Sequence, residues 1–155
     1  LIELKKDDIE SGAFTFLVEL RRLDALRNIK RGLRGFALVT AENIVIGDIW
    51  CKTPSDPRTP IKHPDLKMLK ITCSETDTYA LDMFIPTDYR GKKLAVPLHR
   101  ALQRTLRQEG WQKLYAYYWE DNISSKWMHW MLKCTELPKI RISRFFFLIK
   151  AHTAS

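Results

Sequence analysis

At 155 residues, with 45% hydrophobic and 28% charged side chains, the chain is the size and composition of one folded domain, not of a disordered or fibrous segment. Its apolar runs all fall short of the ~20 residues that span a bilayer as a helix. Three cysteines without CxxC spacing argue against a disulfide framework and a zinc site, and for a reducing compartment such as the cytoplasm.

A net charge of +8 admits nucleic acid, an anionic membrane surface or a polyanionic small molecule as partner, and charge alone does not choose among them. The chain opens at Leu1 without a signal-peptide pattern, which implies residues upstream.

In chain order, Leu1 to Leu4 reads as the end of a strand and Asp7 to Gly12 as a loop or helix start. From Ala13 to Ile29, Phe16, Leu17, Leu20, Leu23 and Leu26 recur every three or four positions, which predicts an amphipathic helix. Arg21, Arg22, Asp24 and Arg27 would form its solvated face. Gly35–Ala41 and Ile44–Cys51, separated by Glu42-Asn43, read as an antiparallel hairpin. Thr53 to Pro64 carries four prolines and reads as a long loop. Leu66 to Cys73 is predicted as a strand against which Thr78–Ile85 pairs back.

Leu94–Glu109 is predicted as a helix with Leu94, Leu98, Ala101, Leu102 and Leu106 inward, Pro97 in its first turn and Gly110 at its end. Trp111–Trp119 is predicted as a strand, Asn122–Lys133 as a helix and Ile140–Lys150 as a final strand. Two strands joined by a helical crossover should run parallel.

The stretch Leu81–Cys134 carries the chemistry. An apolar strand ends at Ile85-Pro86-Thr87-Asp88-Tyr89, and a basic loop, Arg90-Gly91-Lys92-Lys93-Leu94-Ala95, leads into a helix. The first N–H groups of a helix lack intrahelical partners, so such a loop can hold an anion. Without an anion the same cations would oppose the helix dipole. A second helix opens at Asn122 with Ser125 three residues on.

This order of elements and these residues resemble the core of the GNAT superfamily of acyl-CoA-dependent N-acyltransferases. The family's R/Q-x-x-G-x-G/A loop falls on 90–95, with Lys93 where the middle glycine is expected. A residue 93 already in the helix would need no positive φ and would tolerate a side chain.

The resemblance implies one domain over 1–155, with a cofactor-binding core at about 78–134. The implied fold is α/β: a mixed, mostly antiparallel central sheet flanked by helices, with splayed parallel strands at its centre. Main-chain groups of Met83, Phe84 and Ile85 would bind the pantetheine arm. Arg90, Gly91, Lys92 and Lys93, with the N–H groups of Leu94 and Ala95, would hold the pyrophosphate. Asn122 and Ser125 would open the second helix, Asn122 touching the cofactor arm or serving only as an N-cap.

The family's leaving-group acid, seven residues after the Asn, falls on His129, an imidazole suited to giving up a proton; a half-buried structural histidine is the plainer alternative. Lys133-Cys134 stands where Gly-Phe is usual. Asp82 and Glu120 are the carboxylates placed to act as a base through water, or simply to pair with a cation. Arg100, Arg104 and Arg107 read as a solvated face, Cys73 and Cys134 as buried apolar residues, and His63 and His99 have no partner at recognisable spacing.

The function implied is acetyl transfer from acetyl-CoA, or another acyl-CoA, to a primary amine, with no metal and no membrane span, and with a homodimer admitted. A non-catalytic acyl-CoA-binding module is the alternative within the fold. Nucleic-acid binding through Tyr115–Trp119 is a third reading, less favoured because those aromatics alternate as strand core does.

Overall fold

The computed structural model describes residues 1–56, 58–145 and 148–153. Its centre is a six-stranded sheet built from β1 (Ile2–Leu4), β2 (Thr15–Phe16), β3 (Arg34–Val39), β4 (Ile44–Lys52), β5 (Asp77–Phe84) and β6 (Lys113–Tyr115). The strands run in the order β1-β3-β4-β5-β6, with β2 added beside β4. The pairs β1–β3, β3–β4 and β4–β5 are antiparallel, whereas β2–β4 and β5–β6 are parallel.

Helices α1 (Lys6–Glu10) and α2 (Glu19–Lys30) cover one face and α4 (Ala95–Gln108) the other. The short α3 (Pro64–Met68) closes a third cluster around Tyr79, and α5 (Ile123–Met131) packs beside α4. The C-terminal β7 (Ile140–Phe145) and β8 (Leu148–Thr153) form a separate antiparallel pair. No described helix is long and apolar enough to cross a membrane.

Alternation in β4 sends Trp50 towards α2 and Ile49 and Cys51 towards α4. Trp50 is fully buried and lies flat on Gly35 of β3, where an added Cβ would come within 2.5 Å of the indole. Any side chain at Gly35 would therefore displace the ring. Leu98, Leu102 and Leu106 of α4 interlock with Phe36 and Ile49 on the opposite face, as their helical spacing predicts.

Five segments differ from the reading of the sequence. The helix expected over Ala13–Ile29 starts only at Glu19, because Thr15 and Phe16 are used as a strand against Ile44 and Val45. Its buried face is Arg21, Ala25 and Asn28; Leu17, Leu20 and Leu23 are exposed. Apolar spacing misled there because a long-range ion pair, not the leucine stripe, sets the rotation of the helix.

Leu66–Cys73 is not a strand. His63 caps α3 by accepting at Nδ1 from the Asp65 N–H at 3.3 Å, and Pro64 occupies the first turn. Thr78–Ile85 accordingly pairs with β4 and not with that segment. The strand predicted over Trp111–Trp119 keeps its ladder only from Lys113 to Tyr115. The single terminal strand is a two-stranded pair; Phe146 and Phe147, placed within that strand from the sequence, lie outside the described residues.

Candidate active site

Two features of β5 shape the site. Register with β4 slips between Trp50 and Cys51, so that Leu81 has no partner and the strand is bulged there. Pairing with β6 ends at Tyr79–Tyr115, and beyond it β5 runs on to Phe84 with its outer edge open. This is the splay expected of the central parallel pair. It leaves main-chain groups of Met83, Phe84 and Ile85 beside a gap, while Met83 and Ile85 point their side chains at α4.

The gap leads to the basic loop. After a 3-10 turn at Thr87–Tyr89, Gly91 has φ +76° and Lys93 φ +59°. Lys93 is thus not helical, as it would have to be to avoid strain: the helix starts at Ala95, and residue 93 is in the left-handed region where a Cβ costs about 1 kcal/mol.

Among the described residues, no acceptor meets the backbone N–H of Gly91, Lys92, Lys93, Leu94, Ala95 or Val96. Nor does any carboxylate pair with Arg90, Lys92 or Lys93, and the first turn of α4 has no acidic residue. Arg90 Nε donates to the Ile85 carbonyl at 3.1 Å, and the Lys92 ammonium rests 4.5 Å from the Tyr89 ring centre. A Cβ built on Gly91 would meet nothing within 4 Å, so the loop is open on that side. Unpaired donors, cations without a carboxylate partner and open space at Gly91 suit an oxyanion group such as a pyrophosphate.

On the α2 side of β5, Arg21 reaches into the core. Its Nε donates to both Asp48 oxygens at 3.0 Å, its Nη2 also reaches Asp48, and its Nη1 donates to Asp82 Oδ2 at 2.6 Å. The guanidinium carbon lies 5.2 Å from the centre of the Phe84 ring. Asp48 is 1% exposed and also accepts from Trp50 Nε1–H at 2.7 Å. Burial pushes the Asp48 carboxyl up, against the pull of Arg21 and the indole. Asp82 is partly exposed, and its Oδ1 has no partner among the described residues. Glu120 is exposed and paired with Lys139, which holds its carboxyl below the usual range.

Asn122 caps α5: its Oδ1 accepts from the Ser125 N–H at 3.0 Å. One turn on, His129 is 8% exposed, and its Nδ1–H donates to the Ser125 carbonyl at 2.8 Å. A carbonyl only accepts, so the proton is on Nδ1 and Nε2 of the neutral ring is bare. That Nε2 is buried without a partner, as is Nδ1 of His99 on α4. The two rings meet edge to face at 5.8 Å, and Tyr118 stacks on His129 at 5.0 Å. Burial, then the facing His129, push the His99 imidazole down to about 4.

Asn122 stands at the N-cap of the helix that carries His129. Cys134 N–H donates to the His129 carbonyl and Lys133, with φ +55°, takes the left-handed position that ends the helix.

The structure thus gathers Met83, Phe84, Ile85, Arg90, Gly91, Lys92, Lys93, Leu94 and Ala95 on one strand-loop-helix unit, and Asn122, Ser125 and His129 on α5. Glu120 is exposed in the turn before α5 and paired outward. Arg21, Asp48, His99 and Tyr118 were not legible as site neighbours, since their partners are far away in sequence. The cysteines are poor nucleophiles: burial pushes Cys51 up to about 12 and raises Cys73 and Cys134.

Solved structures share this architecture across nearly the whole chain. An aminoglycoside N-acetyltransferase, AAC(6′)-Iy, in complex with CoA aligns over 93% of this chain and 97% of its own, at 18% identity and TM-score 0.62. A ribosomal-protein-alanine N-acetyltransferase from Brucella melitensis aligns over 93% of this chain and 98% of its own, at 12% identity and TM-score 0.61. The chain is a GNAT-fold domain. A putative acetyltransferase from Bacillus subtilis, at 16% identity and TM-score 0.54, covers 91% of the domain and 84% of its own chain. No family model matches the sequence, and no curated protein matches it. At these identities the likeness concerns the GNAT fold, whereas the chemistry of this domain rests on its own residues.

Proposed function

We propose that the domain is an acyl-CoA-dependent N-acyltransferase that acylates a primary amine, with acetyl-CoA the simplest donor. The observation that carries this reading is the run of unpaired N–H groups from Gly91 to Val96, in the same loop as Arg90, Lys92 and Lys93 and following the open end of β5. Acyl-CoA supplies an activated thioester carbonyl. The loop residues hold its diphosphate, and the open edge of Met83, Phe84 and Ile85 orients its arm. One of those edge N–H groups is available to a carbonyl oxygen that gains negative charge. Positioning of this kind carries most of the work when the acyl group is already reactive.

Asp82 offers its free Oδ1 to an incoming ammonium or to a water that takes its proton, while Arg21 fixes the carboxylate in place. His129 moves a proton at Nε2, because Nδ1–H is committed to the Ser125 carbonyl. Asn122 and Ser125 set the start of α5 and so the position of that ring. Glu120, tied to Lys139, is the least well placed of the carboxylates. Three free thiols suit the reducing cytoplasm.

A second reading, a non-catalytic acyl-CoA-binding module, draws on the engagement of Asp82 and Glu120 in ion pairs. Base stacking is disfavoured because Tyr115 and Tyr117 pack into the cluster around Tyr79.

The test is a melt with acetyl-CoA, longer acyl-CoAs and free CoA, followed by turnover on a panel of amines. Ligand at 100 times Kd stabilises by about 2.7 kcal/mol, an upward shift of about 8 °C for a domain of this length. No shift with any thioester removes the proposal. A shift without turnover on any amine selects the binding module.

A further inference from the structure

The outward face of α5 is apolar where a surface helix is normally polar. At 100° per residue, Trp130, Ile123, Trp127 and Met131 fall on one continuous arc of about 100°. They are 68%, 59%, 60% and 48% exposed. The two indoles touch edge to face at 5.3 Å, forming one patch, and Trp119, 56% exposed, precedes the helix by one turn. The opposite face of the helix is already occupied, with Met128 and His129 buried towards the body. The stripe is therefore not a misplaced core face.

Cations outnumber carboxylates around it; Glu120 and Asp121 precede the helix, and Glu120 is paired with Lys139. The helix has no acidic residue. Lys126 borders the arc beside Trp130, and Lys133 closes the helix just past Met131. A groove of about 530 Å³ alongside is lined by Arg100 and Lys133 together with His129, Trp130 and Met131. The carboxylate at that groove, Glu136, is engaged by the Tyr118 hydroxyl at 2.6 Å. Lys126 and Lys133 have no ion-pair partner among the described residues.

We infer that this face docks the protein on an anionic lipid bilayer. Tryptophan settles at the boundary between headgroups and acyl chains, where its ring is apolar and its N–H stays wet. A convex stripe of indoles rimmed by lysines is the form that interfacial helices take. The net charge of +8 brings the whole domain towards such a surface. Lys126 and Lys133 meet the phosphates while Ile123, Trp127, Trp130 and Met131 enter the acyl boundary. The inference does not rest on the transferase reading, since no residue of the arc has a part in it, although the groove beside the arc reaches His129.

The test is co-sedimentation of the full chain with phosphatidylcholine vesicles containing 30% phosphatidylglycerol, compared with pure phosphatidylcholine, at low and high salt. Binding is expected to the anionic vesicles alone, with a blue shift of tryptophan emission, and to weaken as salt rises. Trp127→Ser with Trp130→Ser should lower the partition coefficient at least tenfold. Lys126→Gln should lower it about fivefold, as the loss of one surface cation requires. Both sites are exposed, and unchanged melting of the variants will show that they fold. No binding at millimolar anionic lipid, or equal binding by the tryptophan variant, overturns the inference. So does a dimer in light scattering that the tryptophan variant abolishes, because the face would then be covered by a second copy.

Discussion

Replacing Arg21 by methionine tests the buried charge network most directly. Methionine retains an unbranched apolar stem and removes the guanidinium, with its contacts to Asp48, Asp82 and the Phe84 ring. Asp48, 1% exposed, is then left with the Trp50 indole as its donor. Breaking a buried pair by removing one partner costs about 3 to 5 kcal/mol. For 155 residues the entropy of unfolding is about 0.33 kcal/mol per degree, so the melting temperature should fall by about 9 to 15 °C.

The loss should also depend on pH. A buried carboxyl without its cation binds a proton in the folded state at a pH where the unfolded chain, with a pKa near 3.9, has released it. The folded form then holds more protons, and its stability falls as pH rises above the unfolded value. The difference between variant and parent in urea melts should be small near pH 4 and complete at pH 7. Adding Asp48→Asn to Arg21→Met keeps an acceptor for the indole and should recover at least half of the loss at pH 7. A difference under about 1 kcal/mol, or one that is flat from pH 4 to pH 7, would refute the argument.

Four further outcomes are expected. Since His99 is held neutral down to about 4, the unfolded chain takes up protons first as pH falls from the ordinary histidine range, and stability should drop by about 3 kcal/mol across that window; His99→Phe should flatten this limb of the urea-melt profile. Lys93→Gly should gain about 1 kcal/mol in the same melts by removing a Cβ from the left-handed region, with the acetyl-CoA shift retained. Gly91→Glu should abolish that shift, because it sets a carboxylate and a strained side chain in the loop proposed to hold the diphosphate. His129→Ala should lower kcat about a hundredfold or more with little change in acyl-CoA affinity, and equal kcat would leave the ring a purely structural role.

The parts of the domain that local pattern controls were readable. The β3–β4 hairpin follows from alternation around a short polar turn, α4 from its leucine spacing and its Pro97 and Gly110, and α5 from Asn122 as a cap. The basic loop over 90–95 was legible as an arrangement of residue types. The backbone of Lys93 was not, because a lysine carries no sign of positive φ where glycine is usual.

The errors have physical causes too. His63-Pro64-Asp65 held the signal for a helix start, but the apolar run after it reads equally as a strand. The rotation of α2 is set by Asp48 and Asp82, which lie 27 and 61 residues away from Arg21. No helical wheel contains that information. The meeting of His99 with His129 is equally invisible, since it depends on how α4 and α5 pack.

The unpaired Leu81 has a consequence for the phase of its strand. Tyr79 faces the α3 cluster and Ala80 faces α4; Leu81 and Asp82 then both turn to the α2 side, and Met83 resumes the alternation. Were the ladder regular, Asp82 would point into the leucines of α4 and Met83 would meet the Arg21 guanidinium. Straightening the strand with Leu81 retained would thus invert every side chain from 82 to 85, swapping the greasy and the charged walls of the cleft, whereas excising that single leucine would close the bulge onto the faces those residues already hold.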